Sequence, residues 1–152
     1  MHFLFIFLIL VQSTIKKSPI VLTPSLYCTN LYINYSKDTD VPKYCRKSMN
    51  DELLWFSPKL IVPPWINCLH HLLQVAYDPK TQKIQNLPGV NYKIHDFGGT
   101  SSIEYVAKSG RGNFKFYDCF KSMIDYYERH NYTVKENFFA TPYDWRIGPH
   151  FL

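Results

Sequence analysis

NFKFYDCFKSMIDYYERHNYTVKENFFA, residues 113–140, contains the sharpest change of hydrophobic period in the chain. In its first part Phe116, Tyr117, Phe120, Met123, Ile124 and Tyr127 recur at helical spacing, which predicts one apolar face of a helix over 113–130. Asn113 suits the N-cap, since its side-chain oxygen can accept from an early helical N–H. Arg129 and His130 fall where the helix dipole favours positive charge. Asn131 can take the left-handed conformation that stops a helix. The aromatic stripe reads as core rather than as a ligand box. Residues 134–140 then read as a strand, so a helix passes directly into a strand.

Upstream, 18–24 is a short apolar run bounded by prolines and reads as a buried strand, with 25–30 as the turn leaving it. Residues 31–35, 72–77 and 90–94 give further short strands, the last by alternation of apolar and polar residues. Residues 36–44 are polar and loop-like. Strands alternating with loops and one good helix point to an α/β fold. Between them, 45–68 has a cysteine at each end, a charged first part and an apolar later part with Trp55, Phe56, Leu60, Ile61, Val62 and Trp65. Pro58, Pro63 and Pro64 forbid a long regular helix there, so it reads as an apolar loop. Bridging its ends would stabilise the fold by roughly 3 kcal/mol in the chain-entropy model. Such a loop is either packed under the protein, the commoner case, or offered to a lipid surface.

The 152 residues suffice for one domain. A hydrophobic fraction of 46% argues against disorder. The net charge of +5 is scattered rather than clustered, which excludes a nucleic-acid face and suits weak attraction to anionic lipid. Residues 3–11 are unbroken apolar, too short to span a bilayer. With Ser13 as a small residue at the cleavage point, 1–13 reads as a secretory signal peptide, and an uncleaved anchor is the alternative. Cys28, Cys45, Cys68 and Cys119 then fall in a compartment that permits disulfides, with three pairings open. Asn34 and Asn131 head glycosylation triplets. Cys68-Leu69-His70-His71 lacks a second ligand pair at workable spacing, so neither metal nor cofactor is expected. Gly98-Gly99-Thr100-Ser101-Ser102 lacks the lysine of a phosphate loop and reads as an ordinary loop.

Further motifs carry a resemblance. Ala140-Thr141-Pro142-Tyr143-Asp144-Trp145-Arg146 resembles the APYDWR signature of the lecithin–cholesterol acyltransferase and lysosomal phospholipase A2 family. Residues 97–105, from Phe97 to Tyr105, are similar to that family's FGKTxSxEYL stretch, and Pro88-Gly89-Val90 also fits. Cys45 and Cys68, with Trp55 between, resemble its disulfide-closed membrane-binding loop. The resemblance implies an α/β-hydrolase fold with residues 19–23 as its first core strand. It implies a Cys45–Cys68 disulfide and a lipid-contacting set of Trp55, Phe56, Leu60, Ile61 and Trp65, with the Trp55 ring exposed or shielded only by mobile loop. It implies transfer of a phospholipid acyl chain to an alcohol or water at a phospholipid membrane or lipoprotein surface, in a secreted or lysosomal setting. The backbone N–H of Leu26 matches the oxyanion donor. Asp144 and Arg146 are expected to be structural, an arginine fixing a neighbouring carboxylate.

Two departures from the family pattern stand out. The turn Pro-Gly-x-x-Gly reads Pro24-Ser25-Leu26-Tyr27-Cys28, with Ser25 and Cys28 at the glycine positions. No Gly-x-Ser-x-Gly elbow occurs, so no catalytic nucleophile is assigned. The expectation is that 14–152 forms the N-terminal part of an acyltransferase-like domain with an incomplete sheet, silent on its own. A truncated relative that binds lipid surfaces without catalysis is the alternative.

Overall fold

The computed structural model describes residues 17–108 and 115–147. The signal-peptide assignment to 1–13 and the Asn113 cap lie outside them. In chain order the elements are β1 (Ile20–Leu22), β2 (Leu31–Tyr35), β3 (Met49–Trp55), α1 (Ile66–Leu72), β4 (Ala76–Asp78), β5 (Lys83–Gln85), β6 (Asn91–Lys93), β7 (Tyr105–Lys108), β8 (Lys115–Asp118), α2 (Lys121–Arg129) and β9 (Phe138–Ala140).

β2 is the middle strand of an antiparallel sheet, between β3 and β6. Leu31, Ile33 and Tyr35 are buried and alternate with half-buried Tyr32 and Asn34, as the pleat requires. Ile33, Tyr35, Met49, Leu54 and Val90 of this sheet region pack with Leu60, Leu69 and Leu72 around Cys45 and Cys68 to form the larger core. A second core lies elsewhere. β1 and β9 pair in parallel, with Ile20 opposite Phe138 and Leu22 opposite Ala140. Ile124 of α2, Ile103, Phe138 and Ala140 form its buried centre, flanked by Phe120, Tyr127 and Tyr132. β4–β5 and β7–β8 are separate antiparallel hairpins.

Four sequence expectations need correction. The helix starts later than predicted: residues 115–118 form β8 against β7, and Tyr117 is exposed at φ 55. Aromatic residues serve a strand as well as a helix, so their spacing was ambiguous. The start is fixed instead by Asp118, which accepts from the Ser122 N–H at 3.1 Å. The predicted strand 72–77 splits, with Leu72 closing α1 and only Ala76–Asp78 extended. Cys68, Leu69 and Leu72 are the buried positions of α1, a helical spacing. Residues 45–68 are not a loop throughout, because β3 occupies their first half. Asp51 at φ 51 and two register shifts against β2 break the alternation that would reveal that strand. The strand expected over 134–140 shortens to Phe138–Ala140, since Lys135 turns at φ 69.

Candidate functional site

β1 ends at Leu22 and leads into turn 24–28, closed by the Cys28 N–H donating to the Ser25 carbonyl at 3.2 Å. The left-handed position falls on Tyr27, at φ 68, rather than on a glycine. For an L-residue that conformation costs roughly 1–2 kcal/mol. Three attachments offset it. The Trp55 indole Nε1 donates to the Tyr27 carbonyl at 2.9 Å. The Tyr27 ring stacks edge-on against Trp145 at 4.6 Å and lies 5.4 Å from Trp55. Cys28 is joined to Cys119, with Cα atoms 5.8 Å apart. Leu26, the expected oxyanion donor, stands at the turn with its residue 53% exposed.

The start of α2 is tied to the same neighbourhood. The N–H groups of Cys119, Phe120 and Lys121 converge on the Glu104 carbonyl at 3.0, 3.3 and 3.3 Å. Gly98 exchanges backbone hydrogen bonds with Ala140, at 3.0 and 3.4 Å, extending the pairing beside β9. Asp96 accepts from the Ser101 N–H at 3.0 Å and the Ser101 hydroxyl at 2.7 Å, and pairs with the Lys135 ammonium at 2.6 Å. Burial works to raise the Asp96 carboxyl, but Lys135 and Ser101 outweigh it and hold it below the ordinary value. A Cβ on Gly99 would lie 2.2 Å from Asp96 Oδ1, so this carboxylate needs the glycine.

After β9 the chain runs into Asp144 and Arg146, and the expected pair is present. Arg146 Nε donates to Asp144 Oδ1 at 2.9 Å and Nη2 to Oδ2 at 2.5 Å. Nη2 also reaches Asn86 Oδ1 at 2.9 Å, and the guanidinium lies 3.5 Å from the centre of the Tyr92 ring. The Arg146 side chain is 3% exposed, and its Nη1 has no partner among the described residues. Burial pushes the Tyr92 hydroxyl above its ordinary value in spite of the nearby arginine. Trp145 Nε1 donates to the Thr29 carbonyl at 3.2 Å, with its ring 5.0 Å from Trp55. Residues 144–146 thus clasp the second core to the first.

Cys45 and Cys68 are bridged, with Cα atoms 5.1 Å apart. Of the residues expected to meet lipid, Leu60 is 4% exposed and belongs to the larger core, because the half-turn after Pro58 carries it inward. Phe56 and Ile61 are half-buried. Trp55 is also half-buried, held at the end of β3 by Tyr27 and Trp145, which corrects the expectation of an exposed ring. Trp65 is exposed, together with Val62, Pro63 and Pro64. The apolar tip is therefore 62–65. Beside it, Tyr44, Asn67, His70, His71 and Gln74 line a shallow polar depression of about 270 Å³. Among the described residues no group of three or more His, Cys, Asp or Glu side chains stands together, and no helix is long and apolar enough to cross a membrane.

Comparison with known proteins decides the family. A sequence profile described as lecithin:cholesterol acyltransferase matches residues 50–151. The chain belongs to the lecithin:cholesterol acyltransferase family. It is 27% identical over 133 residues to mouse phosphatidylcholine-sterol acyltransferase, covering 87% of this chain and 29% of that protein. It is 29% identical over 145 residues to dog lysosomal phospholipase A and acyltransferase, covering 90% and 34%. The mouse counterpart of the latter matches at 29% over 160 residues, covering 98% and 38%. The chain thus spans about a third of the length of these curated relatives. Within the family frame, sequence reasoning left the Cys28–Cys119 pairing open, and missed the joining of Tyr27, Trp55 and Trp145 and Asn86 as a partner of Arg146. With Cys45 and Cys68 paired, Cys28 and Cys119 are the two cysteines that remain, and the structure closes them. The two missed contacts join residues far apart in sequence and leave no local pattern.

Proposed function

We propose that this chain is the N-terminal portion of a secreted or lysosomal lipid acyltransferase or phospholipase with an α/β-hydrolase fold. β1 serves as its first core strand, and 1–13 as its signal peptide. The observation that carries the reading is turn 24–28 at the end of a parallel strand, beside the Asp144–Arg146 clasp of the signature segment. There the Leu26 N–H would meet the oxygen that becomes negative as an acyl ester is attacked, where a fixed donor stabilises charge most. The tip 62–65 would enter a phospholipid membrane or lipoprotein surface and bring the ester bond to the turn. Lecithin:cholesterol acyltransferase relatives named for phosphatidylcholine and sterol, and for lysosomal phospholipase activity, support lipid esters as the substrate class. The 152 residues carry no Gly-x-Ser-x-Gly, so they are expected to be silent alone. The exposed Val62 and Trp65 support a second reading, a lipid-surface binder without catalysis. The test is a 14–152 protein incubated with a fluorogenic phospholipid and a serine-reactive fluorophosphonate. No turnover and no labelling are expected. Steady turnover with stoichiometric labelling of one serine would overturn the assignment of silence.

A further inference from the structure

The two Asn-x-Ser/Thr triplets sit in different surroundings. Asn131-Tyr132-Thr133 follows α2. Asn131 is exposed at φ 59, where the chain turns off the helix, and Thr133 is exposed as well. Tyr132 between them is half-buried, with its ring 5.4 Å from Tyr127 and 6.4 Å from Phe138. The middle residue therefore anchors the triplet to the second core. All three backbone N–H groups of the triplet are engaged. The Asn131 N–H donates to the Glu128 carbonyl and the Tyr132 N–H to the Tyr127 carbonyl, each at 3.1 Å. The Thr133 carbonyl accepts from Glu136, Asn137 and Phe138 at 3.1 Å, and its N–H donates to Asn137 Oδ1 at 2.7 Å. Lys17 reaches the His130 carbonyl and the Tyr132 ring. None of these contacts uses the Asn131 carboxamide or the Thr133 hydroxyl.

Asn34-Tyr35-Ser36 is the opposite case. Asn34 lies on the middle strand of its sheet, in register with Asn91 of β6. It is half-buried, and its Nδ2 donates to Asn50 Oδ1 at 3.2 Å. Tyr35 is buried and donates its hydroxyl to the Arg46 carbonyl at 2.9 Å, while the Ser36 hydroxyl accepts from the Asp38 N–H at 3.3 Å. A sugar on Asn34 would take one of the two Nδ2 hydrogens and crowd the Asn50 side chain on the neighbouring strand, in the sheet that centres the larger core.

We propose that Asn131 carries an N-linked oligosaccharide and that Asn34 stays bare. In the transfer, Asn131 Nδ2 bonds to the anomeric carbon of the sugar at the reducing end of a lipid-linked oligosaccharide. The bond from that carbon to the pyrophosphate oxygen breaks, lipid pyrophosphate leaves, and the amide proton passes to a base of the transferring enzyme. The step requires passage through a secretory lumen, which two closed disulfides support. It does not depend on acyl chemistry. The sugar stands on the second core, apart from the tip at 62–65, so lipid binding and glycosylation are separate readouts.

The test uses the whole 152-residue chain made in a glycosylating eukaryotic host. Protein with both disulfides closed, identified by non-reducing peptide mapping, is treated with peptide N-glycosidase in heavy-oxygen water. One glycan is expected, with the isotope label at 131. N131Q and T133A should each abolish the shift on gels, and N34Q should leave it unchanged. Disulfide-closed protein that is bare at 131, or a shift that follows Asn34, would overturn the proposal. Site mapping on the parent chain keeps the result decisive if a variant fails to fold.

Discussion

Around the Cys45–Cys68 bridge, buried side chains of β2, β3 and α1 converge on one core of ten described residues, whereas the core at β1 and β9 centres on four, Ile103, Ile124, Phe138 and Ala140. The first region staples itself over a short sequence span. The second is made of segments far apart in sequence and is fastened to its surroundings by Cys28–Cys119 and by residues 144–146. The tip proposed to meet lipid thus stands on a self-supporting core. The turn proposed to meet the reacting ester stands on a smaller one and depends on tethers.

The comparison breaks first at the long-range disulfide. Replacing Cys28 and Cys119 by Ala opens a connection 91 residues apart in sequence, and the chain-entropy model predicts a loss of about 4–5 kcal/mol. Replacing Cys45 and Cys68, 23 apart, should cost about 3 kcal/mol. Urea titrations of the two double variants check this, and a larger loss at 45/68 would reverse the ranking of the regions.

The clasp comes next. Arg146→Ala leaves the largely covered Asp144 carboxylate without its partner and frees Asn86 and Tyr92 from the signature segment, a loss of about 3 kcal/mol, the low end for a buried pair. Arg146→Lys should recover little, because an ammonium cannot make the forked pair and lie flat on Tyr92 together. Chemical denaturation reads both, and a fully stable Arg146→Lys would show that charge alone holds the clasp.

Trp55→Ala should cost less, about 2–3 kcal/mol, below the range for a fully buried aromatic. It should also raise hydrogen exchange at the amides of turn 24–28, which loses the indole bond to the Tyr27 carbonyl. Unchanged exchange there would detach the turn from β3.

The smallest effect concerns acid. The Asp96 carboxyl is held below its ordinary value in the fold. The stability it contributes is therefore full above the unfolded value, near pH 4, and is lost as pH falls through the folded one. Asp96→Asn should flatten the acid limb of the stability profile, and an unchanged limb would leave the Lys135 pair without energetic weight.

What the sequence made legible was local. The buried alternation of β2, the left-handed stop at Asn131 and the Asp144–Arg146 pair follow from residues within a few positions of one another. β3 was hidden because Asp51 breaks its alternation, and β8 because Phe116 and Tyr117 fit a helical stripe as well as a strand. At the site, the exposed tip was placed only in part. Proline spacing marked an apolar segment, but which of its side chains turn inward depends on α1 and β6 packing beneath it. The triplet of Tyr27, Trp55 and Trp145 depends on three segments meeting, which no window of sequence contains.

Vesicle flotation with matched tryptophan variants tests the central claim, that the stapled core presents its tip and not Trp55 to lipid. Burial of one such ring is worth on the order of 1.5–3 kcal/mol. Trp65→Ala should therefore lower binding to phospholipid vesicles at least tenfold while leaving circular dichroism and denaturation midpoint unchanged. Trp55→Ala, compared as folded protein, should lower the midpoint and bind vesicles as the parent does. Parent-like binding by Trp65→Ala, or loss of binding confined to Trp55→Ala, would contradict the account.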